Sequence, residues 1–269
     1  MRTSRTIPAL VFGGVLCLGI AAPASAEEDA TVSVLHGVPG LTVDVYIDGE
    51  EAIADFAPET LTDPMPLPAG QYDIEIYADG ETPEDSEPAI SAEGLEVPAG
   101  ENLTLVAHLG EDGTPGLTAY VNDVSATEAG DARLTVRHVA AAPEVDVRAD
   151  GSPVIEGLAN PDEEVMDLGA AMVEADVTLA GTDDVVIGPA DLDLQEGANT
   201  IVYAWGSAED ENLALAVQVI DGLHSDPEGV PSGEGGQVTT AALAGLAVAG
   251  IAGAAVGARR LAQRSDARV

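Results

Sequence analysis

Two histidines sit at matched places, His36 at the end of Val32-Ser-Val-Leu-His36 and His138 at the end of Leu134-Thr-Val-Arg-His138, each followed eight residues later by Asp44 or Asp146. On an extended strand, side-chain alternation puts His36 on the face of Val32 and Val34 and His138 on that of Leu134 and Val136, so both rings point at a core. A ring buried there is expected to be neutral and hydrogen-bonded, with Asp44 and Asp146 on the next strand as the partners that fix the register of a hairpin. The competing chemistry is a metal or catalytic role shared by the two copies. Zinc needs three or four ligands, and the remaining His108 and His224 have no counterparts.

Carboxylates are the second source of chemistry: Glu27-Glu28-Asp29, Asp79-Gly80-Glu81 with Glu84-Asp85, Asp183-Asp184, and Asp191 with Asp193 and Glu196. Calcium takes several such oxygens from loops, but none of these groups has EF-hand spacing. Asp191-Leu-Asp193-Leu reads as a strand whose carboxylates face water. A solvated acidic face is the plainer reading; calcium is the one cofactor left open, with its ligands unknown. Phe56, Tyr46, Tyr72, Tyr77, Tyr120, Tyr203 and Trp205 are too scattered for a sugar-binding platform and are expected in cores, although Tyr203 and Trp205 share one face of a strand. Paired carboxylates are also a hydrolase's tools, but with so many acids any pair is uninformative, and no Gly-x-Ser-x-Gly elbow occurs. No residue is assigned a catalytic or cofactor-binding role, and the chain is not expected to be an enzyme. The sequon Asn102-Leu-Thr104 lies in an expected strand and is weak as a glycosylation signal.

The composition narrows the field further. The 269 residues carry 48 Asp plus Glu against 9 cationic residues, all Arg, for a net charge of -39. Binding nucleic acid through a basic surface is excluded. The absence of Lys removes Schiff-base chemistry and the P-loop lysine.

The ends indicate location. Residues 1–26 have Arg2 and Arg5, an apolar run and Pro23-Ala24-Ser25-Ala26, the layout of a secretory signal peptide. The single Cys, Cys17, falls inside it, and Leu16 before it does not suit a lipidation site. Residues 238–258 are uncharged and are followed by Arg259, Arg260, Arg264 and Arg268, which is the length and cationic stop of a transmembrane helix with a cytoplasmic tail, 259–269. The acidic Gly/Pro-rich stretch 225–237 reads as a linker between the two. The expectation is a single-pass cell-membrane protein with an extracellular N-terminal region. That exterior, 27–237, holds 47 of the acids and three Arg, a net -44.

The exterior contains a duplication. Val32 to His36, Val43-Asp44-Val45 and Asp48-Gly49 recur as Leu134 to His138, Val145-Asp146-Val147 and Asp150-Gly151 at a constant offset of 102. This predicts two repeats, 27–130 and 131–224. Apolar residues alternate with polar ones in short runs, such as Val43, Val45, Ile47 and Tyr72, Ile74, Ile76, and Asp-Gly pairs and Pro68-Ala-Gly70 punctuate them. The fold class expected is all-β, two tandem antiparallel β-sandwich domains of immunoglobulin-like form.

The run His36-Gly-Val-Pro39-Gly-Leu-Thr-Val43-Asp44-Val45-Tyr46-Ile47-Asp48-Gly49, with Leu67-Pro68-Ala69-Gly70-Gln71-Tyr72 after it, resembles the domain of unknown function 4397 family. The resemblance covers most of 30–124 and implies an exported, mostly bacterial, β-rich module that often occurs in tandem, with no catalytic residues to carry over. The second copy matches through His138, Pro143, Val145-Asp146-Val147 and Asp150-Gly151 and departs at Arg148, where the family has an aromatic, and at Ala140-Ala-Ala142, which replace its turn residues. The function expected is a membrane-anchored surface binding or structural module, its partner an envelope protein or polysaccharide. The alternatives are calcium-dependent adhesion or ligand binding and, further off, a secreted hydrolase using paired carboxylates.

Overall fold

The computed structural model describes residues 28–225. The expected signal peptide, transmembrane helix and cytoplasmic tail, and all but the first residue of the linker, lie outside the described residues. Among the described residues no helix is long and apolar enough to cross a membrane.

Every regular element among the described residues is a strand. The first half contains β1 (Ala30–His36), β2 (Val43–Ile47), β3 (Glu50–Phe56), β4 (Met65–Leu67), β5 (Gly70–Ala78), β6 (Ile90–Val97), β7 (Asn102–Leu109) and β8 (Pro115–Val121). The second repeats the series as β9 (Asp131–Ala141), β10 (Val145–Ala149), β11 (Ser152–Leu158), β12 (Glu163–Gly169), β13 (Ala171–Leu179), β14 (Val185–Leu194), β15 (Asn199–Ser207) and β16 (Ala214–Ile220). They form four four-stranded sheets, β4-β1-β7-β8 and β3-β2-β5-β6 in the first half, β12-β9-β15-β16 and β11-β10-β13-β14 in the second.

Each half closes around the apolar set its alternation supplied. Val32, Val34, Val43, Val45, Ile74, Ile76, Leu103 and Leu105 make one core; Leu134, Val136, Val145, Val147, Val177, Leu192, Leu194 and Val202 make the other. Burying each such side chain contributes roughly 1.5–3 kcal/mol. The Asp-Gly pairs close the β2–β3 and β10–β11 hairpins with both residues at positive φ, 50° and 77° for Asp48 and Gly49, 49° and 73° for Asp150 and Gly151. Such a turn has the twist that antiparallel strands need.

Two features depart from the expected pair of independent antiparallel sandwiches. At the centre of one sheet in each half, β1 runs parallel to β7 and β9 parallel to β15. These strands are far apart in sequence, and period-two alternation is the same for either direction. The two halves are also packed together. The faces of β1, β7, β9 and β15 that point away from their own cores carry Leu35, Val106, Val139, Ile201, Tyr203 and Trp205, which form a third buried cluster with Tyr120. The order through the body is therefore outer sheet, core, inner sheet, shared cluster, inner sheet, core, outer sheet.

The described chain begins and ends at one pole. Gly100 N–H donates to Glu28 O at 3.0 Å, Thr127 N–H to Leu223 O at 2.8 Å and Leu223 N–H to Gly197 O at 2.7 Å, while the Asn199 amide reaches Asp123 O in the connection between halves. The opposite pole holds the loops after β1, β5, β7, β9, β13 and β15. There Asn160 ties the halves together, donating to both Leu109 O and Ala140 O.

Candidate functional site

His36 and His138 are both 1% exposed, on the faces that strand alternation assigned them. Their partners differ from expectation. His36 Nε2 lies 2.7 Å from Leu41 O and His138 Nε2 3.0 Å from Pro143 O, while each Nδ1 faces the backbone N–H two residues on. Each ring thus holds the loop that leads into the next strand. His36 also stacks on Phe56, ring centroids 5.5 Å apart. Burial pushes both imidazoles below the ordinary histidine pKa, with the carbonyl contacts acting in the opposite direction.

The carboxylates expected to meet those rings work elsewhere. Asp44 Oδ1 accepts from Asp55 N–H at 2.9 Å and Oδ2 from Gly80 N–H at 3.1 Å; Asp146 accepts from Gly157 and Gly181 N–H, both at 2.7 Å. The clasp joins three segments in each half, the carboxylate oxygens accepting from backbone N–H groups of the other two. Asp55, at φ 51°, takes a left-handed conformation that glycine, Gly157, supplies in the second half.

The first half's clasp is also the group among the described residues that could hold a metal ion. One oxygen each from Asp44, Asp55 and Asp79 lies within 4.8 Å of the others. Asp44 is buried and both its oxygens already accept hydrogen bonds; Asp55 and Asp79 are exposed. In the second half Gly157 and Ala180 stand in place of Asp55 and Asp79, so the group is not duplicated. Sequence clustering missed it because Asp44 and Asp55 meet across a hairpin and Asp79 arrives from a third strand. Asp191 and Asp193, by contrast, alternate with buried Leu192 and Leu194 and face water as expected. Asp183 reaches Arg148 at 3.6 Å.

Polar side chains converge most densely between the halves. Arg137, 1% exposed, donates from Nε to Glu163 at 2.8 Å, from Nη1 to Tyr203 Oη at 2.8 Å and from Nη2 to Asn122 Oδ1 at 2.9 Å. Its guanidinium carbon lies 4.3 Å from the Tyr120 ring centroid and 5.4 Å from that of Tyr203, within cation–π range. Gln218 Oε1 accepts from Tyr203 Oη and from Thr104 Oγ1. Tyr120 donates to Pro161 O at 2.6 Å, and burial raises its phenol pKa. Tyr203 and Trp205 do share a face, and it is inside the body, not a sugar-binding surface. His108 is buried, bonded to Leu109 O and Thr118 Oγ1, and His224 is exposed. Thr104 is fully buried and Asn102 accepts from Asn122, so the sequon is occupied by internal packing.

Two open grooves lie near this zone. One of about 490 Å³ is lined by Tyr120, Glu156, Pro161, Asp162, Glu163 and Glu164; another, of about 520 Å³, by Glu111, Glu144, Asn160 and Thr182 among others. Their carboxylates give them an acidic lining. Inside the two cores are small apolar cavities of about 30 and 40 Å³.

This architecture defines an all-β, strongly acidic module without a helix among its described residues. Residues 30–148 match the family described as Domain of unknown function (DUF4397), the family that the run from His36 to Gly49 resembles. The match passes beyond the first half, takes in His138 and Asp146, and ends at Arg148. No curated protein matches the chain.

Proposed function

We propose that the chain is a membrane-anchored cell-surface module that binds a partner or builds structure through a strongly acidic extracellular body, with no catalytic step. The observation that carries this reading is the meeting of both ends of the described chain at one pole. The described chain ends at that pole, and the loops after β1, β5, β7, β9, β13 and β15 lie at the other. The uncharged 238–258 backed by Arg259 and Arg260 supplies the anchor, and the partner is an envelope protein or polysaccharide. Deleting 238–269 releases the rest of the chain into the medium; full retention of the truncated form in the membrane fraction contradicts the reading.

A calcium-dependent form of the same reading is favoured by the proximity of Asp44, Asp55 and Asp79. It requires millimolar calcium to raise the unfolding temperature of the natural chain more than that of Asp79→Ala, at an ionic strength where sodium alone no longer acts. An equal response of the two reduces calcium to a screening ion.

A further inference from the structure

We propose that Arg137 dictates which sheet faces pair, so that the first half docks on the second and neither docks on a copy of itself. The two inner sheets have the same strand order, β4-β1-β7-β8 and β12-β9-β15-β16, and meet through equivalent faces. The strand registers make Leu35 equivalent to Arg137, Thr104 to Ile201, Tyr120 to Gln218 and Asn122 to Ile220. Contacts between the halves come in mirrored couples. Thr104 meets Gln218, and the equivalent residues Ile201 and Tyr120 share the buried cluster; Arg137 meets Asn122, and Leu35 and Ile220 share that cluster as well. This is the arrangement of a two-fold dimer within one chain, where each half presents the same patch to the other.

Such a patch is self-complementary unless something breaks its symmetry. Arg137 does so, placing a buried cation where the first half has Leu35. Pairing two second halves would set Arg137 against Gln218 and Ile220, removing the Asn122 acceptor and the Tyr120 ring. Pairing two first halves would leave Asn122 Oδ1 facing Leu35 without its guanidinium donor. Each wrong pairing forfeits the Arg137–Asn122 hydrogen bond and the contact of the guanidinium with the Tyr120 ring, a loss that acts against the wrong partner. The charge is neutralised locally by Glu163, so the right pairing carries no unpaired ion.

The test uses the full chain with a protease site inserted between Ala129 and Gly130, in the exposed connection between halves, cleaved after folding and held in molar salt. Native mass spectrometry from detergent is expected to find the natural fragments only as pairs of one first and one second half. With Arg137→Gln, self-paired second halves are expected to exceed about a tenth of all pairs. Asn122→Leu probes the same contact from the other side and is expected to yield self-paired first halves; it decides alone if Arg137→Gln lacks a cooperative unfolding transition. Fragments of the natural chain that separate or self-pair overturn the proposal, as do variants whose fragments pair as exclusively as the natural ones.

Discussion

Asp44 and Asp146 each hold two backbone N–H groups from different segments, and removing either leaves those donors to find water at the edge of the fold. A hydrogen bond to a charged acceptor is worth about 1.5–3 kcal/mol, so Asp44→Ala is expected to lower the unfolding free energy by at least that order, read as a lower urea midpoint at an unchanged m-value. Asn at the same position keeps one acceptor and should lose less. The buried imidazoles make a separate prediction. Burial lowers the folded pKa of His36, His108 and His138, so the unfolded chain takes up protons first as the medium is acidified. Their contribution is fully present above about pH 6.5 and is lost as pH falls through the lowered folded values, at up to about 1.4 kcal/mol per pH unit for each ring. Carboxylate protonation acts in the same range but is common to natural and variant chains. His138→Gln should therefore show a shallower loss of unfolding free energy between pH 7 and pH 5 than the natural chain; parallel curves would mean that the ring titrates alike folded and unfolded. Strand alternation made the burial of these histidines legible in the sequence. Their carbonyl partners were not, since Leu41 and Pro143 lie in loops that carry no periodic signal.

Among the elements, short alternating runs and Asp-Gly turns translate directly into hairpins, which is why β2–β3 and β10–β11 appear where the residues placed them. The parallel pairing of β1 with β7 and of β9 with β15 depends on contacts about 70 residues apart in sequence, beyond any local pattern. The candidate metal group was hidden for the same reason, its three aspartates converging from separate segments. At the end of β15, Gly206 has φ 100°, and an added Cβ would lie 2.5 Å from the Asn212 carbonyl oxygen. That oxygen belongs to backbone in the turn before β16 and cannot swing aside. Gly206→Ala is expected to cost more than about 1 kcal/mol of stability, read by chemical denaturation. A neutral or stabilising effect would show that this turn is free to shift.

Across the whole molecule, the described residues contain three Arg, and each is already engaged. Arg133 pairs with Asp123 and Asp167, Arg137 with Glu163, and Arg148 with Asp176. The rest of the described surface is left acidic without counter-charge, and the net charge of -40 on residues 28–225, 43 acids against three Arg, is crowded more closely folded than unfolded. Screening tightens from a Debye length of about 10 Å at 0.1 M salt to about 3 Å at 1 M, so the unfolding temperature should climb over that range. Indifference to salt would require another account of the acidity. Duplication and charge were both legible in the sequence. Docking of the halves was not, because Tyr203, Trp205 and Arg137 alternate with core residues on strands that read as ordinary half-buried ones. The central structural claim is that the two halves form one body through this interface. Calorimetry tests it most directly, on the full chain at molar salt with the fluorescence of the single Trp, Trp205 in the interface, followed in parallel. One endotherm is expected, its calorimetric and van't Hoff enthalpies equal and its midpoint coincident with the fluorescence change. Two resolved endotherms, with the fluorescence following only one, would contradict the claim.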